Sequence, residues 1–486
     1  MMMRKFWWIA FFAMAACRND NVEEMMPKAS AGYPADVEKI IITKCATEGC
    51  HTPQSQAAAA GLNLATWSAM FEGTNNGAVV IPHRADFSTL LYFTNVDSTL
   101  GLVTLPTMPI NAAPLTTQEY LTLKNWVMNG APNDKGEVMF ADNPSRHKFY
   151  VANQGCDVVS VFDAKTRKVM RMVDVGANSG AVPPESPHNI KITPDGKYWL
   201  VCFLNASIVQ VFDTNTDQLV KTITIGNGVA GQWNTIVISS DSKKVYACDY
   251  SGRRISVGDI TAGTSVTWPV FPYTLHGQAL NATNDTLYVT CQDDSKLLKI
   301  PVNDLINYEE IDLVQNVSPG PFQLQPHEVT FSPDRSKYFV TCQNQNVNQV
   351  RVYLRSNDSL IAVIPVGLVP LEMSVSTSTN KIFVTNQEDN VFPNMTGSVS
   401  VIDCNTLTEV SRLKAGWQPH GIAVDEKDKV VYVANRNIAG GPAPHHAAGC
   451  AGKNGYLSLI NLLTLQTDFS FRPEVSVDPY AMTVRP

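Results

Sequence analysis

Short stretches of alternating apolar and polar residues fill the chain from about residue 147 to its end. They are rich in β-branched side chains, as in Tyr338-Phe339-Val340-Thr341-Cys342 and Val431-Tyr432-Val433-Ala434-Asn435. Turn sequences such as Pro194-Asp195-Gly196 separate them. Alternation of this kind is typical of half-buried strands, and Pro-Asp-Gly favours tight turns between them. The pattern predicts that residues 147–486 form an all-β domain.

The predicted strands recur as a repeat. Segments that start with Pro-His occur at Pro187, Pro326 and Pro419, and a second, third and fourth strand follow each of them. Four strands per unit at a period of 42 to 60 residues predict a β-propeller with seven blades. We call the equivalent places in the seven first strands the hub positions. The hub positions are Tyr480, His188, Asn234, His276, His327, Leu371 and His420.

The two ends of the repeat region predict how the ring closes. The chain enters at residues 147–153 with a second strand and ends at residues 480–484 with a first strand. We therefore expect the last strand to complete blade one and cover both sheet edges. The blades resemble the YVTN family of propellers, whose namesake run appears as Phe383-Val384-Thr385-Asn386 and, altered, as Tyr288-Val289-Thr290-Cys291.

The first part of the chain has helical periodicity instead. Apolar residues at Val37, Ile40 and Ile41 predict one amphipathic helix over residues 34–44. Thr116 and Glu119 form a capping-box pattern ahead of an apolar stripe, which predicts a second, later helix. A short helix is expected from Ser88. We predict a small all-α domain at residues 33–136 and a polar linker at residues 137–146.

One motif in this helical region carries chemistry. Cys45 and Cys50 are followed directly by His51, which is the arrangement that covalent haem attachment needs: two thiols for the haem vinyl groups and an imidazole for the iron. Four residues separate the cysteines here, instead of the usual two. A disulfide or half of a zinc site is the alternative, although no second Cys/His pair with zinc spacing lies nearby. Met108, between two prolines, is the candidate for the second axial ligand.

The segment from Cys45 to Pro132 resembles the small c-type cytochrome domains. The resemblance rests on the Cys-His motif near its start, on Met108-Pro109 before the last helix, and on the run from Trp126 to Gly130-Ala131-Pro132. It implies one haem c, held by Cys45 and Cys50, and attachment of that haem outside the cytoplasm.

The N-terminus predicts the same location. Arg4 and Lys5 precede the apolar run Phe6–Phe12, and small residues lead to Cys17, so residues 1–17 are expected to be a lipoprotein signal peptide. Cys17 would then carry the lipid that anchors the protein to a bacterial membrane, facing the periplasm or the cell surface. A simple cleaved signal with unmodified Cys17 is the alternative. Residues 18–32 are polar and are expected to be a flexible tether.

Composition narrows the set of partners. The net charge is −7 and the pI is about 5.7, which argues against a nucleic-acid partner. Only 17% of the residues are charged, which fits a β-rich protein outside the cytoplasm. We expect a redox protein or a small-molecule substrate as partner, and contact with the membrane only through the lipid.

Histidines recur where the propeller should have its central channel. A long insertion in blade seven, residues 439–450, is expected to place more histidines and the Cys450 thiol at the same mouth. Such a cluster predicts a site for copper, zinc or a second haem, whereas the alternative is a structural or substrate-contact role. The candidate ligands are His188, His276, His327, His420, His445 and His446.

The two regions together predict a function. We expect haem-mediated electron transfer coupled to a propeller that binds a substrate, a metal or a redox partner. If the channel mouth is a second redox site, the protein is an oxidoreductase. The alternative is a non-catalytic binding or adhesion propeller with the cytochrome as an accessory relay.

Overall fold

A computed structural model describes residues 30–486, apart from 179, 181, 305, 319, 321 and 322. The predicted signal peptide, Cys17 and residues 18–29 of the predicted tether therefore lie outside the described residues. Within the described ranges, no helix is both long enough and apolar enough to span a bilayer.

The N-terminal region is small and helical, with much irregular chain between its helices. Its α-helices are α1 Ala35–Lys44, α2 Trp67–Met70, α3 Thr89–Thr94 and α4 Thr117–Met128, and a 3₁₀ helix covers Ala85–Phe87. The predicted apolar face of α1, with Val37, Ile40 and Ile41, is buried.

The predicted capping box at the start of α4 is present. The Thr116 hydroxyl accepts a hydrogen bond from the Glu119 backbone N–H at 3.3 Å, and the Glu119 carboxylate accepts one from the Thr116 backbone N–H at 2.8 Å. This reciprocal pair satisfies two donors that would otherwise be left free at the helix start, and such a cap contributes about 1 kcal/mol.

The first and last helices of this region pack against each other. Lys44 at the end of α1 pairs with Glu119 at the start of α4 at 2.8 Å. The rings of Tyr33 and Trp126 meet edge to face with centroids 6.1 Å apart. Cys45 lies in the same buried cluster, so this contact fixes where the Cys45–His51 motif begins.

The remainder of the described chain is built of strands, with 3₁₀ turns at Gly226–Gly228 and Pro393–Met395. The strands are β1 Lys148–Asn153, β2 Val158–Asp163, β3 Lys168–Asp174, β4 Pro187–Ile192, β5 Tyr198–Phe203, β6 Ile208–Asp213, β7 Leu219–Thr224, β8 Trp233–Ile238, β9 Lys244–Asp249, β10 Arg254–Asp259, β11 Ser265–Thr267, β12 Leu275–Leu280, β13 Thr286–Cys291, β14 Lys296–Pro301, β15 Glu309–Asp312, β16 Pro326–Phe331, β17 Lys337–Cys342, β18 Gln349–Leu354, β19 Leu360–Pro365, β20 Leu368–Ser376, β21 Lys381–Glu388, β22 Ser398–Asp403, β23 Thr408–Lys414, β24 Pro419–Asp425, β25 Val430–Asn435, β26 Asn454–Asn461, β27 Gln466–Asp468, β28 Glu474–Val477 and β29 Pro479–Val484.

These strands form seven antiparallel sheets, which confirms the predicted seven-bladed propeller. Six sheets have four strands, and β28 adds a fifth strand to the last one by pairing with β26. Blade one has the order β29-β1-β2-β3, so the C-terminal strand closes the ring as predicted. In that pairing Tyr150 lies opposite Thr483, and Ala152 lies opposite Ala481.

The helical region rests on blades one and seven. The Arg84 guanidinium donates to the Met172 carbonyl at 2.6 Å and pairs with Asp174 at 3.0 Å, both on β3. The Glu474 backbone N–H of β28 donates to the Asn76 carbonyl at 2.8 Å. These contacts hold the two regions together at a defined place.

Candidate functional site

The Cys45–His51 segment is a closed loop at the end of α1. The His51 backbone N–H donates to the Cys45 carbonyl at 3.2 Å, and the Cys50 N–H donates to the Thr47 carbonyl at 3.0 Å. Gly49 has φ +79°, a conformation that glycine adopts without steric strain. The longer spacing between the cysteines is thus absorbed by a turn that joins the backbones of His51 and Cys45.

The donor groups of this loop fit covalent haem. Cys45 and Cys50 are both free; Cys45 is buried and Cys50 is exposed. Burial raises the pKa of Cys45 to about 12, so it stays a neutral thiol. His51 is half-buried, and its buried Nδ1 atom has no hydrogen-bond partner among the residues that the structure describes. Two free thiols and an imidazole with an unsatisfied nitrogen are the donor set that haem c requires.

The protonation state of His51 also suits an iron ligand. Burial lowers the pKa of His51 below its ordinary value of 6.5, and the backbone of Leu62 offsets part of that effect. The imidazole is therefore neutral near pH 7, and a neutral imidazole has the lone pair that a metal needs.

Met108, the predicted second ligand, is fixed through its backbone. Its N–H donates to the Phe93 carbonyl in α3 at 2.6 Å, and the Thr104 N–H donates to the Tyr92 carbonyl at 3.0 Å. The Met108 side chain is half-buried. Ligation of iron by Met108 stays a prediction.

The second site lies where the innermost strands of the blades meet. In every blade a β-bulge interrupts the pairing of the first strand with the second, and each bulge contains the hub position. Bulges re-aim side chains and are frequent next to functional sites. In all seven blades, the residue at the hub position is therefore left out of the regular pairing between the first and second strands.

A threonine from the second strand holds the bulge in three consecutive blades. Each of these hydroxyls accepts from the N–H that follows the hub position of its own blade and donates to the carbonyl of the next blade's hub residue. The threonines are Thr290, Thr341 and Thr385, with donor distances of 2.9, 2.8 and 2.8 Å. The Val-Thr of the YVTN-like run therefore has a structural role, because its threonine links neighbouring blades at the hub.

The structure brings four of the predicted histidines together with Tyr480. The four histidines are buried, and Tyr480 is half-buried. The ring-centroid distances are 3.7 Å for His420–Tyr480, 4.1 Å for His188–Tyr480, 4.0 Å for His276–His327, 5.6 Å for His327–His420 and 6.5 Å for His188–His276.

These imidazoles are neutral at ordinary pH. Burial lowers the pKa of His276 to about 4 and holds the pKa values of His188, His327 and His420 well below 6.5. Arg436 adds positive charge nearby, pairing with Asp478 at 2.6 Å and stacking over the Tyr480 ring at 4.7 Å. A cluster of this kind can bind metal ions or donate and accept hydrogen bonds.

Two acidic residues at the hub were not predicted. Glu328 follows the hub residue His327, and Glu372 follows the hub residue Leu371. Burial raises the pKa of both carboxyls, and Lys191 opposes that rise. Regular alternation along a strand gives no sign of either residue, because the irregularity that takes Glu328 and Glu372 out of the strand pairing is seen only in the structure.

The blade-seven insertion lies against the helical region. The His445 ring is 5.7 Å from Phe93, and the His446 ring is 5.8 Å from Tyr92, so both predicted ligands face α3 and are not grouped with the four hub histidines. The prediction of a free Cys450 thiol at the channel mouth is wrong, because Cys450 forms a disulfide with Cys156. Blades one and seven are neighbours in the closed ring, which is why cysteines 294 residues apart meet.

We expect the double variant Cys156→Ser, Cys450→Ser to be less stable by about 2–4 kcal/mol, because the disulfide restricts the unfolded chain. Thermal unfolding measured with and without reductant checks this. The midpoint of the parent protein should fall in reductant, whereas that of the variant should not move. Equal midpoints for the oxidised parent and the variant would contradict the stabilising role.

The helical region matches a known family. A family model described as Planctomycete cytochrome C matches residues 48–106, which include Cys50 and His51 and leave out Cys45 and Met108. The chain thus carries a cytochrome c-like domain in front of a seven-bladed propeller, and a domain of this family implies haem c binding.

Other comparisons concern longer parts of the chain. It is 25% identical to Antigen Lp49 of Leptospira interrogans over 142 residues, which are 26% of this chain and 28% of that protein. A functionally unknown protein from Desulfotomaculum acetoxidans superposes with a TM-score of 0.52 at 15% identity, over 70% of this chain and 99% of that one. Kuenenia stuttgartiensis hydrazine synthase gives a TM-score of 0.48 at 17% identity, over 64% and 94%. At 15% identity, the likeness to the Desulfotomaculum acetoxidans protein concerns the fold alone.

Proposed function

We propose that this is an exported electron-transfer protein. Cys45 and Cys50 would hold one haem c through thioether bonds, and His51 and Met108 would be the axial ligands of its iron. A haem held in this way supplies one-electron chemistry, since its iron changes between the ferric and ferrous states. The propeller would provide the second site, at the hub, where a substrate, a metal ion or a redox partner binds.

The observation that carries the proposal is the Cys45–His51 loop. It presents two unpaired thiols and a neutral imidazole whose Nδ1 atom has no hydrogen-bond partner among the described residues. Cys50 and His51 lie inside the segment that matches a cytochrome c family, and Cys45 lies just before it. A disulfide between Cys45 and Cys50 is the competing use of these thiols, and it would leave His51 without a function.

The helical region contacts the propeller near its proposed methionine ligand. Met108 is hydrogen-bonded to Phe93, and Phe93 contacts His445 in the blade-seven insertion. The same insertion is fastened to blade one by the Cys156–Cys450 disulfide. Met108, the proposed second ligand, therefore belongs to the part of the helical region that contacts the propeller.

Replacing Met108 with alanine should lower the midpoint potential of the haem, because a methionine sulfur favours the reduced iron. We expect a shift of about 100 mV or more, within the ~0.8 V range that axial ligands span. Spectroelectrochemical titration of the Soret and α bands measures it. Met128→Ala is a matched control, since Met128 lies half exposed at the end of α4. Equal shifts in the two variants, or none, would exclude Met108 as a ligand.

The same titration tests the whole proposal. The full-length protein, matured in a host that attaches c-type haem, should be reduced and reoxidised reversibly by small mediators with a single one-electron wave. A protein that has no Soret band after such maturation would leave no basis for electron transfer.

Membrane anchoring and location belong to the proposal too. Arg4 and Lys5, the apolar run and the small residues before Cys17 support export and lipid attachment. The protein would then face the periplasm or the cell surface.

A second candidate function is ligand binding by the propeller without catalysis. A cleft of about 480 Å³ favours it, since Trp417, Tyr456 and Arg472 line the cleft between the last two blades. The Arg472 guanidinium stacks on the Tyr456 ring at 4.1 Å, which gives an aromatic and cationic wall suited to an anionic or aromatic ligand. If replacement of both His327 and His420 left the binding of such an anionic or aromatic ligand unchanged, this function would be favoured over a redox site at the hub.

A further inference from the structure

Three groups at the hub stand out because their donor atoms converge. The candidate ligand atoms of His327, His420 and Glu372 lie within 4.8 Å of one another, and all three residues are buried. Glu372 comes from β20 in blade six, between the blades that carry His327 and His420. The three side chains therefore reach one point from three consecutive blades.

Two of these groups lack partners. The Nδ1 atom of His327 and the Nε2 atom of His420 are buried and have no hydrogen-bond partner among the described residues. The exposed fractions of the two residues are 2% and 1%. A buried polar atom without a partner costs about 1–3 kcal/mol, so a native fold that keeps two of them in one cluster needs a reason.

The hydrogen bonding of His420 prepares it as a ligand. Its Nδ1 atom lies 3.0 Å from the Tyr480 carbonyl, and a carbonyl only accepts, so Nδ1 carries the proton. The lone pair is then on Nε2, the atom without a partner. Metal-binding histidines usually donate their other N–H to a carbonyl or carboxylate in this way, which fixes the ring and the tautomer.

The neighbouring histidines are engaged elsewhere. His276 Nδ1 donates to the His327 carbonyl at 3.1 Å, and His188 Nδ1 lies 2.5 Å from the Gln154 side-chain oxygen. These bonds orient the rings that surround the three groups. Thr385 completes the support, because its hydroxyl binds the backbone N–H of Glu372 and the carbonyl of His420.

We propose that His327, His420 and Glu372 bind one divalent transition-metal ion of the zinc or iron(II) class. Two imidazoles and one carboxylate are a donor set that such ions take, and three protein ligands leave coordination positions open for water or another ligand. The proposal rests on the proposed function only in placing the second site at the hub, and metal binding itself does not need the haem.

Equilibrium dialysis of the full-length, haem-loaded protein against radioactive Zn²⁺ tests the site. The protein should carry no histidine tag. We expect one tightly bound zinc per chain. Glu372→Gln should weaken zinc affinity at least ~10-fold, because even the loss of a residue that only hydrogen-bonds to a metal ligand costs about that much. Glu309→Gln is the control, because it makes the same change at an exposed carboxylate on β15, the outermost strand of its blade, and should keep full affinity. Circular dichroism checks that the variants fold.

The outcomes separate the two proposals. Zinc binding by the parent that is no tighter than that of Glu372→Gln, or an equal loss in Glu309→Gln, would overturn the assigned ligands. His420→Gln gives a second, independent loss if Glu372→Gln does not fold. A protein that carries no haem after maturation in a host that attaches c-type haem would refute the proposed electron transfer. If it still binds one zinc through these ligands, the metal-site proposal is retained.

Discussion

The double variant Cys45→Ala, Cys50→Ala is expected to carry no covalently bound haem. The physical reason is that each thioether bond needs one of these sulfurs, and both thiols are free in the closed loop that ends at His51. After maturation in a host that attaches c-type haem, extraction with acidified acetone should remove all haem from the variant. The parent should keep its haem in the protein fraction. The expected effect is complete loss of the Soret band.

Cys404→Ala is the control for this experiment. Cys404 is also free and buried, but it lies in the propeller. Its replacement should leave the haem content unchanged. Haem that resists extraction from the double variant would show that other residues hold it, and the Cys45–His51 loop would lose its proposed role.

Deleting residues 479–486 is expected to prevent the propeller from folding. The deletion removes β29, which is the innermost strand of blade one and the source of Tyr480 at the hub. It leaves the edge of β1 unpaired and opens the ring between blades one and seven. We expect a loss larger than about 5 kcal/mol, the lower end of the net stability of an ordinary domain. Near-ultraviolet circular dichroism and thermal unfolding measure it.

The matched control removes Pro486 alone. This residue is exposed and lies beyond β29, so the parent unfolding midpoint should be retained. A chain without residues 479–486 that unfolds cooperatively at the parent midpoint would contradict the closing role of the last strand.

Much of the fold could be predicted because it is encoded locally or repeated. The capping box at Thr116 and Glu119 and the apolar face of α1 are local patterns, and the structure confirms both. The blade count follows from the number of repeats. The closing strand follows from the two ends of the repeat region, because the first repeat lacks its first strand and an extra first strand ends the chain. Small errors in the predicted strand boundaries would not change the length of the repeat, and therefore would not change the number of blades.

The parts that escaped prediction depend on how separate blades meet. Cys156 lies in the β1–β2 turn and Cys450 in the blade-seven insertion, and only the curvature of the closed ring brings their sulfurs together. Glu372 was missed because alternation along a regular strand would point it away from Leu371, whereas the bulge turns both residues out of the ladder. The turn of the insertion toward α3 likewise depends on the contact between the two regions.

The intact mass of the mature full-length protein, together with alkylation of its cysteines, shows whether Cys45 and Cys50 hold a haem. We predict a chain whose mass includes one haem that survives denaturation, with Cys45 and Cys50 both resistant to alkylation before and after reduction. A chain without haem whose Cys45 and Cys50 are alkylated, either directly or only after reduction of a disulfide, would contradict the account.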